Sequence, residues 1–442
     1  MGFFDRFFRS EPINQPNISF GRYTDSYKTT EKFEYWDRSV ACFQDEDYLC
    51  SYEAFFEYLK DEDENNVKYW RDGECVRFEL YQGSKKITGY ANVEKIRAEA
   101  KIAHTESSNI GFMRRLLEKN FELKFSRFAF DEDDNIVIVF DTYSIDGSPY
   151  KLYNALKELA TNADKQDDLL LDEFNMLKPV DTSHLEEIPE VEKEVKYDFI
   201  QNELGKVFKH IKSLDRFETD YPHGISILLL ELIYRIDYLT KPEGYTMELL
   251  ERMHRMYFSK DNKSLLQKNQ MLKNGFSELF ERPQIEYYKE MYRVTSTFGI
   301  TSPIGHDRVV DFIDAEMSSI NWYSSNAFEK VAAAIPSYII GSSLFNFSVP
   351  KPIRDLFFLY YQITNHDYFK KLGFEINYVD PKTRGFNSKT IKKGIEQIVQ
   401  RNKKLYPELN PATNLLKYNN NLEFGKSFLM LVRNLQIIPK EF

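Results

Sequence analysis

Phe125-Ser-Arg-Phe128-Ala-Phe130, Asp131-Glu-Asp-Asp-Asn135 and Ile136-Val-Ile-Val-Phe140 read as strand, acidic turn and strand. Phe128 and Phe130 fall on one face, with Arg127 and Ala129 on the other, which is the period-two spacing of a pleated strand. The second run is short, β-branched and bounded, as suits a strand buried on both sides. Asp and Asn tolerate the backbone conformations that a hairpin connection needs. One helical pattern precedes this hairpin and another follows it, so the unit around it is α+β.

Upstream, residues 48–60 form a helical pattern in which Tyr52, Phe55, Phe56 and Leu59 recur at three and four. Residues 67–71, 74–81 and 86–90 read as strands separated by Asp72-Gly73 and by Gln82-Gly83-Ser84. In the middle one, Val76, Phe78 and Leu80 alternate with Cys75, Arg77 and Glu79. Residues 94–103 have a helix-like composition but strict alternation of Ile96, Ala98, Ala100 and Ile102 with charged residues; the alternation assigns a strand. Ser107-Ser108-Asn109 offers an N-cap to a helix carrying Phe112, Met113, Leu116 and Leu117 and ending near Asn120. After the hairpin, Ser148-Pro149 starts a helix with Leu152, Leu156 and Leu159 on one side, and 164–174 reads as a further short helix. Residues 46–177 are therefore expected to form an antiparallel sheet with helices on one face.

Residues 1–45 read as an arm. Phe3, Phe4, Phe7 and Phe8 make one greasy face of a short helix, suited either to docking on a membrane surface or partner or to packing back on the arm's own domain. Residues 178–196 read as a linker, with Pro179, Pro189 and the charge run Glu190-Val-Glu-Lys-Glu194. From residue 197 to 442 the pattern is nearly pure helix without a fixed repeat, an all-α domain.

The 442 residues give room for about two or three domains. Phe (36) and Tyr (29) are abundant, so aromatic rings must fill cores or line recognition surfaces. A net charge of -10 disfavours nucleic acid as a general partner. Cys42, Cys50 and Cys75 are odd in number and form no CxxC pair, which points to idle thiols, a reducing compartment and a cytoplasmic location. The most apolar run, 225–239, is interrupted by Glu231, Arg235 and Asp237 and is shorter than a membrane span, so the chain is not expected to be transmembrane. Glu231 and Arg235, four apart, are expected to pair if buried.

No phosphate loop, metalloprotease or nucleophile-elbow motif is present; Gly425-Lys426-Ser427 lacks the first glycine of a P-loop, Asn420 standing in its place. His306-Asp307-Arg308 with Asp311 and Asp314 puts three carboxylates on one helical stripe, which reads as a solvated face more readily than a cation site. Lys392, Lys393, Arg401, Lys403 and Lys404 form one basic helix, and Tyr287, Tyr288, Met291 and Tyr292, with Phe357, Phe358, Tyr360 and Tyr361, form aromatic stripes suited to core packing. No catalytic residue, metal or cofactor is assigned.

The order helix, strands, helix, hairpin, helix over residues 48–174 resembles the peptide-binding chaperone fold of type III secretion chaperones and YbjN-like proteins. The match is carried by Ser107-Ser-Asn-Ile-Gly-Phe-Met-Arg-Arg-Leu-Leu-Glu-Lys-Asn120 followed by Phe128-Ala-Phe-Asp-Glu-Asp-Asp-Asn-Ile-Val-Ile-Val-Phe140. The resemblance implies a small curved sheet backed by helices, dimer formation, and the holding of extended client segments. On this reading the chain is a non-enzymatic adaptor whose sheet leaves an apolar face open to a protein or peptide client, through Val76, Phe78, Leu80, Phe112, Leu116, Phe128 and Phe130. The alternatives are a homodimeric or larger structural assembly, and an enzyme with its site near His306 and Asp311.

Overall fold

The computed structural model describes residues 16–106, 109–213, 217–380 and 382–440. The front half contains α1 (Thr30–Gln44), α2 (Tyr48–Leu59), β1 (Val67–Asp72), β2 (Cys75–Gln82), β3 (Lys85–Ala91), β4 (Lys95–His104), α3 (Ile110–Glu122), β5 (Arg127–Phe130), β6 (Asn135–Tyr143) and α4 (Pro149–Glu173). The strands pair antiparallel in the order β1-β2-β3-β4-β6-β5, and β7 (Lys178–Pro179) joins the end of β4. The alternating 95–104 segment is a strand, and the opening hairpin pairs Phe128 with Ile138 and Phe130 with Ile136. Its turn is closed by Asp131, whose carboxylate accepts from the backbone N–H of Asp133 and Asn135 at 2.9 Å each.

The apolar side of this sheet is packed by α2 and α4, with Phe55, Phe56, Leu152, Leu156 and Leu159 joining the strand residues in one core. Packing is tight at Gly89, opposite Phe78: a Cβ there would lie 2.2 Å from Phe78 Cζ and 2.4 Å from the Arg97 carbonyl oxygen. Gly89→Ala is expected to lower stability by about 1–3 kcal/mol through overpacking, read as an earlier urea midpoint; an unchanged midpoint contradicts this arrangement.

The back half is helical: β8 (Glu186–Glu187), α5 (Glu190–Lys212), α6 (Phe217–Asp220), α7 (Pro222–Thr240), α8 (Gly244–Phe258), α9 (Leu265–Glu281), α10 (Gln284–Lys289), β9 (Tyr292–Arg293), β10 (Ser302–Pro303), α11 (His306–Ser325), α12 (Glu329–Asn346), β11 (Phe347–Ser348), α13 (Lys351–Thr364), α14 (His366–Lys371), α15 (Ser388–Asn402) and α16 (Asn421–Arg433). Apolar nearly all round, α7 is the buried axis against which α5, α9 and α12 pack. Glu231 and Arg235 do pair (2.6 Å), and Glu203 closes a triad on the other side of the guanidinium at 2.6 Å. No helix among the described residues is long and apolar enough to cross a membrane.

Several sequence expectations are corrected. Residues 30–44, expected to belong to an arm, form helix α1, which packs on α2. The charge run 190–194 is the first turns of α5, where Glu190 and Glu192 suit the positive end of the helix dipole. Helix α4 is one element of 25 residues rather than two. Cys42 and Cys50 are not idle thiols: they are joined in a disulfide that ties the end of α1 to the start of α2.

The two halves exchange segments. Residues 16–29 run along the seam and into the helical half: Phe20 packs among Phe358, Phe369 and Phe374, Gly21 N–H donates to the Tyr238 carbonyl at 2.8 Å, and Lys28 donates back to the Leu59 carbonyl at 3.1 Å. Tyr27 hydroxyl donates to the Val349 carbonyl. In return, the segment after α10, in a stretch expected to be nearly pure helix, leaves the helical half in extended form and enters the sheet core. The Gln82 side-chain oxygen accepts from Thr297 and Phe298 N–H at 3.1 and 3.0 Å, and Phe298 is buried in the front core. Each half thus supplies part of the other's packing.

Candidate functional site

The apolar residues expected to face a client are mostly core. Val76, Phe78, Leu80, Phe112, Leu116 and Phe128 are buried beneath the chain's own helices, and only Phe130 is exposed. The physical reason is that α2, α3 and α4 together are wide enough to cover the apolar side. The open side of the sheet is polar, with Arg77, Glu79, Arg97 and Glu99 around Trp70. Phe3, Phe4, Phe7 and Phe8 lie outside the described residues.

A different apolar surface stands free. Helix α3 uses Phe112 and Leu116 to reach the core, but Ile110, Met113, Leu117 and Phe121 are 88, 37, 69 and 94 % exposed. Spaced by three, four and four, they form one row along the helix. Phe130, on edge strand β5, is 40 % exposed and its ring lies 6.5 Å from that of Phe112.

This helix is firmly seated. Asn120 bridges both backbone groups of Phe128: its side-chain oxygen accepts from Phe128 N–H at 2.6 Å and its amide donates to the Phe128 carbonyl at 3.2 Å. The following loop closes on Glu158 of α4, which accepts N–H bonds from Lys124, Phe125 and Ser126 at 2.9 Å each and the Ser126 hydroxyl at 2.8 Å. Burial opposes the Glu158 charge, but these donors outweigh it and hold the carboxyl below its usual range. The exposed row is thus presented by a fixed element.

The largest group of perturbed ionisable side chains lies elsewhere, in a cleft of about 400 Å³ at the seam between the halves. Helix α4 supplies Asp164 and Lys165, the α7–α8 corner supplies Lys241, Glu243 and Met247, and the two exchanged segments close the sides with Arg22 and Phe298. Asp164 accepts from Ser84 N–H at 2.8 Å. Gly83 makes this approach possible: its φ is +55°, and any Cβ there would lie against the Asp164 carboxylate. Burial and then the charge of Asp167 push the Asp164 carboxyl up to about 7. One turn on, Asp167 pairs with Lys85 at 2.8 Å, and neither side chain is more than 5 % exposed. Glu243 is held well above the usual carboxylate range, by burial and then by Asp164.

The other sequence candidates disperse. His306 Nε2 lies 2.9 Å from the Val432 carbonyl, and Asp314 pairs with Arg433 at 2.6 Å. Among the described residues no group of three His, Cys, Asp or Glu side chains is placed to hold a metal ion. Tyr287, Phe357, Tyr360 and Tyr361 are core residues, and Lys393, Arg401, Lys403 and Lys404 are solvent-exposed at the α15 end of the molecule. Sequence reasoning missed the seam cleft; the one local signal was Asp164, Asp167 and Asp168 at helical spacing. No protein-family model matches the chain, and no curated protein matches it.

Proposed function

We propose that this chain is a non-enzymatic binding protein whose α3 row receives an amphipathic helical segment of a partner polypeptide. The observation that carries the reading is the row itself: Ile110, Met113, Leu117 and Phe121 exposed along one face of a helix whose other face is locked to the sheet. Its spacing is that of an apolar helical stripe, which packs against the apolar stripe of a second helix. Its size favours a segment over a folded domain, since four side chains offer on the order of half the ~800 Å² that each partner gives to a standard interface. The resemblance of residues 48–174 to peptide-binding chaperones agrees with such a role.

A photo-crosslinking residue at position 117, introduced in the native cell, tests the proposal, with position 77 on the polar sheet face as control. One partner should be captured from 117 and not from 77. Leu117→Glu combined with Phe121→Glu should cut recovery of that partner at least tenfold, about 1.4 kcal/mol, while stability stays within about 0.5 kcal/mol because both sites are solvent-exposed. Equal capture from both positions, or capture only of a second copy of this chain, overturns the reading.

A further inference from the structure

We propose that the seam cleft is a binding site for a small organic cation, an ammonium or guanidinium group carried on a short apolar chain, held by Asp164 and Glu243. Glu243 carries the argument. It is 6 % exposed, lines the cleft, and has no hydrogen bond or ion pair from its side chain among the described residues. A carboxylate so placed leaves its desolvation uncompensated, and an arriving cation supplies the missing partner. The Tyr292 hydroxyl is buried without a hydrogen-bond partner, and the charges acting on it are those of Asp168, Glu243, Asp164 and Asp167.

Most of the cations around the cleft are engaged elsewhere. Arg22 is spent on Asp237 and Glu251, Lys165 on Glu248 and Glu251, Lys85 on Asp167, and Arg282 on Glu290. Lys241, on the same rim, donates to Ser19 at 3.3 Å; burial holds its ammonium below the usual range, while the charges of Glu64 and Glu243 act to raise it. Tyr23 donates to Asp61. Asp164 and Glu243 therefore line the cleft with no cation in salt-bridge contact among the described residues, Lys241 acting on Glu243 only from a distance. The remaining walls, Met247, Val294, Phe298 and Ile300, fit a methylene chain. The volume suits an aliphatic diamine or guanidino-amine, and the absence of a metal-holding group among the described residues favours an organic cation over a metal ion.

Burial raises both carboxyls in the empty cleft, Asp164 to about 7 and Glu243 well above its usual range. Cation binding must then release protons and strengthen as pH rises. Titration calorimetry of the full chain with 1,4-diaminobutane and with agmatine, at pH 6 and pH 8 in two buffers of different ionisation heat, reads both effects. Saturable one-to-one binding of at least one probe, about tenfold tighter at pH 8, with proton release, is expected. Glu243→Gln should weaken it at least tenfold, and Met247→Trp, which fills the cleft, should abolish it. No saturable heat with either probe, or equal affinity in Glu243→Gln and Met247→Trp, overturns the proposal.

Discussion

Arg22→Ala is expected to lower the free energy of unfolding by about 3–5 kcal/mol, the cost of removing one partner from a buried charge group. The Arg22 guanidinium donates to both Asp237 oxygens at 3.0 and 2.8 Å and to Glu251 at 3.1 Å, and it stacks 3.8 Å over the Phe345 ring. Asp237 lies on the buried axis α7, where burial already pushes its carboxyl up against the pull of Arg22. Alanine leaves that carboxylate without its cation and frees the arm from the helical half. Because Phe20 and Gly21 dock beside it, loss of Arg22 should also expose residues 16–29 to protease. Asp237→Asn in the Arg22→Ala background should recover part of the loss, since it removes the orphaned charge. Denaturant midpoints of the three variants check this, and a loss under about 1 kcal/mol for Arg22→Ala would show a mere surface ion pair.

Lys85→Ala should be comparably severe, and its severity should depend on pH. Lys85 Nζ lies 2.8 Å from Asp167 and donates to the Ile102 carbonyl at 3.2 Å, deep beneath α4. Burial raises the Asp167 carboxyl, and Lys85 is the leading influence that lowers it. Without Lys85 the folded-state value rises further. A carboxyl raised in the folded state binds more protons there than in the unfolded chain, so its contribution to stability falls as pH climbs from its unfolded value, near 4, through the folded one. The variant should therefore lose about 3–5 kcal/mol at pH 8 and distinctly less at pH 5, where Asp167 takes up a proton. Lys85→Met with Asp167→Leu, which replaces the pair by apolar groups, should be far milder than Lys85→Ala. A penalty that is the same at both pH values contradicts a buried carboxylate at this position.

The front sheet was legible because its signals are local. Val76, Phe78 and Leu80 alternate, Asp131–Asn135 marks a turn, and Asn120 closes a helix, all within short windows. Which face stays open was not legible. Covering the apolar side depends on α4 running 25 residues and on Phe298 arriving from more than a hundred residues away. The exposed row on α3 was half visible: Met113 and Leu117 were grouped with Phe112 and Leu116 as one apolar stripe, but the helix is apolar on two faces and only packing decides which is buried. Glu243 and Tyr292 carry no pattern of their own. They meet Asp164 only because the arm and the segment after α10 bind the halves together, and such contacts leave no period in a sequence.

The docking role of α3 is tested most directly by titrating the crosslinked partner's helical peptide, labelled for fluorescence anisotropy, with the wild-type chain and with Phe121→Glu. The account predicts one-to-one saturation by the wild type and at least tenfold weaker binding by the variant. Equal affinity of the two proteins would contradict it.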